Sequence, residues 1–196
     1  MLAIETKEDV YKPAEDSFLL AKHAKRIKGR VLEIGCGCGI VSLECAASNP
    51  DNRVEGVDIN RAAVRLAKEN AKRNAIKNVR FYHSDLFSKV RGKFDWIIFN
   101  PPYLPTAEND KIKGRINLAF DGGPDGLDAI RRFVKGVKAH LKNNGKIMII
   151  ASDLAGSEGS GIKEAKNELN KNGFKVDVIE EQSFFFERIA LLKAKR

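Results

Sequence analysis

Apolar and polar positions alternate along this chain in a pattern that predicts helices and strands in turn. Apolar positions from Ala14 to about Ile27 recur at helical spacing, which predicts a first helix. Pro13 before it is typical of a helix start, and Glu15 and Asp16 suit the positive end of the helix dipole.

Beyond this helix, short apolar runs typical of buried strands alternate with longer amphipathic runs typical of helices. The predicted strands are RVLEIG from Arg30, RVEGVD from Arg53, VRFYHS from Val79, FDWIIFN from Phe94 and GKIMIIAS from Gly145. The predicted helices are GIVSLECAAS from Gly39, NRAAVRLAKENAKRNA from Asn60, GLDAIRRFVKGVKAHL from Gly126 and a run around Ile162 to Lys171. Two last runs, FKVDVIEEQ and FFFERIALLKA, have no helix between them and predict an antiparallel pair.

This order of elements predicts an α/β fold, because parallel strands need crossover connections and helices usually provide them. We expect a Rossmann-like sheet of seven strands, mostly parallel with one antiparallel strand, and helices on both faces. At 196 residues, the length predicts a single domain that covers residues 1–196.

The composition argues against several classes of protein. No run of about eighteen apolar residues and no apolar stretch near the first residue exist, so neither a transmembrane helix nor a signal peptide is expected. Cys36, Cys38 and Cys45 lie close together, with no distant cysteine for a disulfide framework and no neighbouring histidine for a zinc set. We therefore expect buried thiols, no metal site and a cytoplasmic location.

The chain is basic, with 35 Lys and Arg against 26 Asp and Glu and a net charge of +9. Such a charge favours an anionic partner, such as nucleic acid or a ribosome-associated protein, through long-range steering. A solvated surface rich in lysine explains the same count, since no block of five or more like charges occurs. Charge alone leaves both interpretations open.

A glycine-rich turn joins the strand from Arg30 to the next helix, in the segment Glu33–Gly39. Gly35 and Gly37 allow the backbone to approach a ligand closely. Asp58 ends the second strand, where a carboxylate receives the hydroxyl pair of a ribose. Ile40 replaces the final glycine of a dinucleotide motif, which favours a nucleoside without phosphates over a pyrophosphate. A tight turn with a structural aspartate is the alternative.

Asp85 and Leu86 follow the third predicted strand, at the edge where open α/β sheets bind ligands. We expect Asp85 to accept a hydrogen bond from an adenine amino group and Leu86 to cover the ring. Taken alone, an aspartate at this place is more often a loop residue than a ligand.

The motif Asn100-Pro101-Pro102-Tyr103 follows the buried strand FDWIIFN at the same edge. A planar NH2 group has two donors, and the Asn100 side-chain oxygen and the Pro101 carbonyl suit both of them. The Tyr103 ring is placed to stack on the flat group and exclude water. This arrangement predicts transfer to a planar amide or amino nitrogen by positioning, without a general base.

The segment Thr106–Phe120 follows the motif and is polar and irregular. We expect it to form a mobile lid over the acceptor.

Together, EIGCGCG, Asp58, Asp85 and NPPY resemble the class I S-adenosylmethionine-dependent methyltransferases that modify planar nitrogens. VYKPAEDSFLL, DGGPDGLDAI and FFFERI resemble the HemK-type glutamine methyltransferases more narrowly. The resemblance covers nearly the whole chain and is closest to the short archaeal and eukaryotic branch. The bacterial N-terminal helical domain is not expected, because the first strand begins at Arg30.

The resemblance implies N5-methylation of the glutamine in the Gly-Gly-Gln loop of class-1 release factors, with S-adenosylmethionine as cofactor. The residues that it implies at the cofactor are Ser17, Glu33, Gly35, Gly37, Asp58, Asp85, Leu86 and Asn100, and those at the glutamine amide are Asn100, Pro101, Pro102 and Tyr103. Ser17 stands where relatives often have Thr, and the hydroxyl is kept. His83 and His140 fall on no motif of the family.

The resemblance also implies a partner, a small zinc-binding activator subunit. In the usual strand order of this fold VRFYHS lies at the sheet edge, where Phe81 and Tyr82 and an unpaired backbone suit strand addition. Packing of these two aromatic rings under neighbouring helices is the alternative.

The motifs indicate that the methyl acceptor is a planar nitrogen, and they do not indicate which molecule contains it. Adenine N6 or guanine N2 of DNA or RNA has a similar planar amino group, although the chain has no room for a second domain that holds a flipped base. A lysine acceptor would first need to lose a proton, and no base stands beside NPPY. A non-catalytic module that binds the nucleoside is the last alternative, and it would not need the amide clamp.

Overall fold

The computed structural model describes residues 2–106 and 115–196. The strands are β1 (Arg30–Ile34), β2 (Arg53–Asp58), β3 (Val79–His83), β4 (Phe94–Phe99), β5 (Leu141–Ser152), β6 (Lys175–Ser183) and β7 (Arg188–Lys195). The helices are α1 (Glu15–Ala24), α2 (Ile40–Ser48), α3 (Arg61–Arg73), α4 (Asp128–His140) and α5 (Gly161–Lys171), with a short 3-10 helix at Arg115–Ala119. No helix in these two ranges is long and apolar enough to cross a membrane.

The strands form one seven-stranded sheet in the order β3-β2-β1-β4-β5-β7-β6. Neighbours from β3 to β5 pair in parallel, and β7 runs antiparallel to both β5 and β6. The predicted sheet with one antiparallel strand is therefore confirmed.

The sequence predicts that the last strand begins at Phe184, whereas β7 begins at Arg188. The run from Phe184 to Glu187 forms the turn between β6 and β7, and the Phe184 N–H donates to the Glu187 carbonyl over 2.7 Å. Phe185 and Phe186 are 91% and 84% exposed. Consecutive apolar residues predict a strand, but the chain must reverse direction here to pair β7 beside β6.

Helices cover both faces of the sheet, as predicted. On one face α4 and α5 pack on the central strands through Phe133, Val137 and Leu169. On the other face α1 and α2 pack through Leu20 and Val41. The three cysteines are buried and carry free thiols, which agrees with the expectation.

The turn after β1 has a backbone that only glycine adopts easily. Gly35, Gly37 and Gly39 have φ angles of 66°, 51° and 88°. A Cβ on Gly39 would lie 3.0 Å from both the Ala67 side chain and the Phe81 ring. The turn is therefore pressed against α3 and β3, which fixes where α2 begins.

Glu33 in β1 anchors the start of α2. Its Oε2 accepts hydrogen bonds from the Ser42 hydroxyl and, over 2.9 Å, from the Ser42 N–H. Burial raises the pKa of the Glu33 carboxyl to about 8, and the negative charge of Asp58 adds to this shift.

Asn70 in α3 connects this turn to the N-terminal segment. Its Nδ2 donates to the carbonyl oxygens of Cys38 and Glu5, and its Oδ1 accepts from the Glu5 N–H over 2.9 Å. Asn70 is fully buried. One amide therefore satisfies backbone groups from two segments distant in sequence.

Replacing Asn70 with Ala is expected to lower the free energy of unfolding by about 2–4 kcal/mol, because buried backbone groups lose their partners. Urea unfolding followed by circular dichroism measures the change. Lys72→Ala, at an exposed position of the same helix, is the matched control and should stay within about 0.5 kcal/mol. Equal values for the two variants would contradict this role of Asn70.

Replacing Glu33 with Gln tests the raised pKa of this carboxyl. The ordinary pKa of 4.5 applies to the unfolded chain, and about 8 applies to the folded one. Between these values the folded state keeps a proton that the unfolded state has released, so Glu33 lowers stability as pH rises. Melting temperatures of the cofactor-free protein, from pH 5 to 9, should fall more steeply for the wild type than for Glu33→Gln. Parallel pH profiles would contradict the shift.

Candidate functional site

A cavity of about 700 Å³ lies at the carboxyl ends of β1, β2, β3 and β4. Its volume is in the range of small-molecule sites. All residues that the sequence predicts for the site line it: Ser17, Glu33, Gly35, Gly37, Asp58, Asp85, Leu86, Asn100, Pro101, Pro102 and Tyr103. His83 and His140 are not among the lining residues.

Asp58 and the glycine turn form one wall of this cavity. The Asp58 Oδ2 accepts the Gly37 N–H over 2.9 Å, and its Oδ1 accepts the Asn60 N–H over 2.7 Å. A Cβ on Gly37 would meet no atom within 4 Å, so the turn leaves open space in front of it. Burial raises the pKa of Asp58, while the two N–H bonds oppose the shift. Each carboxylate oxygen keeps a lone pair, which suits a pair of ribose hydroxyls.

Asp85 has a partner that the sequence does not reveal. The Arg132 guanidinium, from α4, donates to both carboxylate oxygens of Asp85 over 2.9 and 2.8 Å. Arg132 itself lines the cavity. Leu86 has a positive φ of 42° and packs against the core. Asp85 is thus oriented by a cation at the place where an adenine amino group is expected.

Asn100 lines the cavity directly after β4. Its Nδ2 donates to the Asp16 Oδ2 over 3.0 Å. Its Oδ1 is buried, and no hydrogen-bond donor reaches it within the described part of the chain. Because a carboxylate only accepts hydrogen bonds, the amide must face Asp16 with its NH2 group. The Asn100 oxygen is therefore the atom left for a bound molecule.

Sequence reasoning missed Asp16 as part of this site. It interpreted this carboxylate only as a favourable charge at the start of α1. The side chain is 4% exposed and also accepts from the Tyr11 hydroxyl over 3.0 Å and the Ser17 hydroxyl over 3.1 Å. The available signal was its position inside VYKPAEDSFLL, one residue before Ser17.

Tyr103 and Glu187 complete the acceptor end. The Tyr103 hydroxyl lies 3.4 Å from the Asp16 Oδ2. Burial, and then the charge of Asp16, raise the pKa of Tyr103, so this residue stays a neutral phenol. Glu187, from the turn before β7, lines the cavity and accepts from the Ser152 hydroxyl over 2.7 Å. Sequence reasoning did not single out Glu187.

The chain after NPPY is held to the loop that precedes α4. The Leu104 N–H donates to the Phe120 carbonyl over 3.1 Å, and the Gly122 N–H donates to the Leu104 carbonyl over 2.9 Å. In the predicted lid, Thr106–Phe120, positions 107–114 lie outside the described residues. Leu118 and Phe120 from its second half line the cavity. The mobility of the lid stays a prediction.

The aromatic side chains of β3 are not both exposed for docking, as the sequence suggested. Phe81 is 4% exposed and packs with residues of α2 and α3. Tyr82 is half-buried, and its hydroxyl donates to Glu55 over 2.9 Å. The expectation of an aromatic docking pair is therefore wrong for Phe81, because successive side chains of a strand point to opposite faces and Phe81 lies on the face that α2 and α3 cover. The strand itself does lie at the end of the sheet.

Within the described ranges, no group of three or more His, Cys, Asp or Glu is placed to hold a metal ion.

Comparison with known proteins matches residues 12–177 to the family model described as methyltransferase small domain. A Methanocaldococcus jannaschii protein, described as a candidate protein N5-glutamine methyltransferase, is 45% identical over 196 residues, which cover 100% of this chain and 96% of that protein. The release factor glutamine methyltransferase of Buchnera aphidicola is 35% identical over 124 residues, or 61% of this chain. The match spans only 45% of that bacterial relative.

Solved structures show the same fold. The E. cuniculi Mtq2–Trm112 complex, responsible for the methylation of the eRF1 translation termination factor, matches with a TM-score of 0.70 at 21% identity, over 96% of this chain and 99% of that chain. The family model matches residues 12–177 of this chain, and a 45% identical relative matches all of it. The chain therefore belongs to the S-adenosylmethionine-dependent methyltransferases with the methyltransferase small domain, in the group of the protein N5-glutamine methyltransferases.

Proposed function

We propose that this protein methylates the side-chain amide nitrogen of the glutamine in the Gly-Gly-Gln loop of a class-1 translation release factor. One observation carries the acceptor chemistry, namely the buried Oδ1 of Asn100, which accepts no hydrogen bond from the described residues. A buried carbonyl oxygen without a partner is costly, so its partner is a donor of the bound molecule. The names of the two curated relatives support glutamine as that molecule.

The cofactor end fits S-adenosylmethionine, which supplies a methyl group on a positively charged sulfur. Eight acidic side chains line the cavity, and all except Glu33, whose raised pKa of about 8 keeps it protonated at neutral pH, count as negative charges: Asp9, Asp16, Glu33, Asp58, Asp85, Asp121, Asp128 and Glu187. Arg132 is the one basic residue among the described residues that line it. This imbalance favours a cationic cofactor, and the open space before Gly37 accepts its nucleoside without a phosphate group.

Each predicted site residue receives a role in this proposal. Asp58 takes the ribose hydroxyls, Asp85 and Leu86 take the adenine, and Gly35 and Gly37 bring the backbone close to the nucleoside. The residues assigned to the cofactor are Ser17, Glu33, Gly35, Gly37, Asp58, Asp85, Leu86 and Asn100, and those assigned to the acceptor are Asn100, Pro101, Pro102 and Tyr103.

At the acceptor end, Asn100 and the Pro101 carbonyl hold the two N–H groups of the glutamine amide. This turns the face of the nitrogen toward the methyl carbon and biases its electrons toward attack. Tyr103 covers the flat amide and keeps water away. Transfer would form a bond from the nitrogen to the methyl carbon while the bond between that carbon and the cofactor sulfur breaks, and the nitrogen would then release one proton to water. Because no base has to act before transfer, positioning supplies most of the rate, worth up to about 7–11 kcal/mol.

The acidic cavity argues against a nucleic-acid acceptor. The phosphates beside a flipped adenine or guanine would approach the carboxylates of this cavity, which repel them. Because the described cavity wall is net negative and the whole chain carries +9, the rest of the chain has the excess of basic residues. A neutral glutamine side chain meets no such repulsion.

We propose further that a small zinc-binding subunit pairs with the free edge of β3. This strand is paired only with β2 and ends the sheet. A small cleft beside it is lined by Arg61, Arg65 and Lys68, and none of these cations makes a salt bridge within the described ranges. Unpaired backbone next to free cations suits a strand with acidic side chains. The Mtq2–Trm112 complex supports a two-subunit assembly for this fold.

Replacing Asn100 with Ala is expected to lower methyl transfer by about 100-fold or more, because a positioned acceptor of the reacting group is lost. Its affinity for S-adenosylmethionine should stay within about threefold of the wild type, since the other seven residues assigned to the cofactor are unchanged. Asp58→Ala is the matched variant and should instead weaken cofactor binding about tenfold or more. Labelled methyl transfer and calorimetric titration measure the two quantities, and equal loss of both in Asn100→Ala would contradict its role.

The substrates for this assay are a class-1 release factor, the same factor with its Gly-Gly-Gln glutamine replaced, a lysine-containing peptide and duplex DNA. Label only on the intact glutamine supports the proposal. Label on DNA or lysine would overturn the acceptor and leave the cofactor assignment standing.

Replacing Arg65 with Glu is expected to weaken the complex with the zinc-binding subunit about tenfold or more at low salt, because a cation of the β3 cleft becomes an anion. Calorimetric titration of the purified subunits measures the affinity. Lys163→Glu, an exposed position on α5, is the charge-matched control and should bind like the wild type. If Arg65→Glu binds the subunit as tightly as the wild type, the proposal that the interface includes this cleft is wrong.

A further inference from the structure

One buried carboxylate collects hydrogen bonds from three parts of the acceptor end. The Asp16 Oδ2 accepts from the Asn100 Nδ2 and the Tyr11 hydroxyl, both over 3.0 Å, and has the Tyr103 hydroxyl at 3.4 Å. Asp16 is 4% exposed, and no Lys, Arg or His of the described chain pairs with it. All of its partners are neutral donors.

The two oxygens of Asp16 share the Tyr11 hydroxyl, which lies 3.1 Å from Oδ1 and 3.0 Å from Oδ2, and otherwise have different neighbours. Oδ1 accepts the N–H and, over 3.1 Å, the hydroxyl of Ser17, which satisfies the first turn of α1. Oδ2 faces Asn100 and Tyr103. Stabilising the N-terminus of α1 accounts for the contacts of Oδ1 and does not explain those of Oδ2. Burial of a charged group with no cation beside it is unfavourable, so the arrangement needs a reason beyond the helix.

We propose that Asp16 is a positioning residue for methyl transfer, one that holds the Asn100 amide with its oxygen toward the acceptor nitrogen. This inference rests on the proposed function, which places the glutamine amide at the Asn100 Oδ1. An Asn amide that turns by 180° exchanges its oxygen for an NH2 group, which would face the donors of the substrate. The carboxylate prevents this turn because it can only accept hydrogen bonds, and the turned amide would face it with an oxygen, which is another acceptor. A charged hydrogen bond also draws electrons toward the Asn100 oxygen and makes it a stronger acceptor.

Tyr11 and Tyr103 support the same carboxylate. Burial, followed by the charge of Asp16, raises the pKa of both phenols, so each keeps its proton and remains a donor. Tyr11 packs edge-on against Phe120 with ring centroids 5.5 Å apart, which links the carboxylate to the loop beyond NPPY. The tyrosines thus fix the direction in which Asp16 presents its Oδ2.

A double-mutant cycle with Asp16→Ala and Asn100→Ala tests this inference. Asp16→Ala should lower kcat about 10- to 100-fold with little change in KM for the release factor or in affinity for S-adenosylmethionine. The double variant should lose no more activity than Asn100→Ala alone, because Asp16 acts through Asn100. Multiplied losses, or a loss in KM alone, would overturn the inference.

Two further variants separate positioning from folding. Asp16→Asn keeps the size and an oxygen that accepts from Asn100, so it should retain more activity than Asp16→Ala, and it remains testable if the alanine variant fails to fold. Glu15→Gln removes the exposed neighbouring carboxylate of the same helix turn and should leave kcat unchanged. Similar kcat values for Asp16→Asn and Asp16→Ala, both folded, would contradict the positioning role.

A second measurement does not depend on the acceptor. In the 15N NMR spectrum the side-chain NH2 signal of Asn100, assigned by its absence in Asn100→Ala, should shift in Asp16→Ala and stay in place in Glu15→Gln. If the wild type transfers no methyl group to glutamine, the proposed function fails while this spectrum still decides whether Asp16 holds Asn100. An unmoved signal would overturn the inference even with an active wild type.

Discussion

β1 pairs in parallel with β2 on one side and with β4 on the other, so these three strands end at the same edge of the sheet. Every later feature of the site depends on this constraint. It brings the glycine turn after β1 next to Asp58 at the end of β2 and to Asn100 directly after β4. The Asp58 carboxylate then accepts the Gly37 N–H, so the end of β2 and the glycine turn form one continuous wall of the cavity.

Three acidic side chains at this edge differ in their surroundings and hence in their behaviour. Glu33 meets only Ser42 and a negative neighbour, so burial dominates and its pKa rises to about 8. Asp58 is partly buried, and two backbone N–H groups oppose the rise in its pKa. Asp16 gathers neutral side-chain donors instead. The same functional group thus anchors a helix at Glu33 and holds the Asn100 amide at Asp16, and in the proposed function it meets a nucleoside at Asp58.

Charge is divided between the cavity and the rest of the surface. The whole chain carries +9, yet the described cavity wall holds a single arginine and eight acidic side chains, of which only Glu33 is protonated at neutral pH. A cationic cofactor and a neutral acceptor suit the wall, while the basic exterior, including the cleft beside β3, suits the acidic partner that we propose there. Neither the net charge of the chain nor the sequence motifs of the site show that acidic and basic residues are separated in this way.

The order of elements, the single antiparallel strand, the glycine turn and the places of Asp58 and NPPY at the cavity are predictable from the sequence, because each depends on local periodicity or on residues within one turn. The contacts between distant segments depend on how the helices pack on the sheet. Asp16 and Asn100 lie 84 residues apart, Asp85 and Arg132 lie 47 apart, and only the packing of α1 and α4 on the sheet brings each pair together. The burial of Phe81 and the exposed turn at Phe185 were also settled there. Local patterns show which face of an element is apolar, whereas the three-dimensional path of the chain decides which side chains meet.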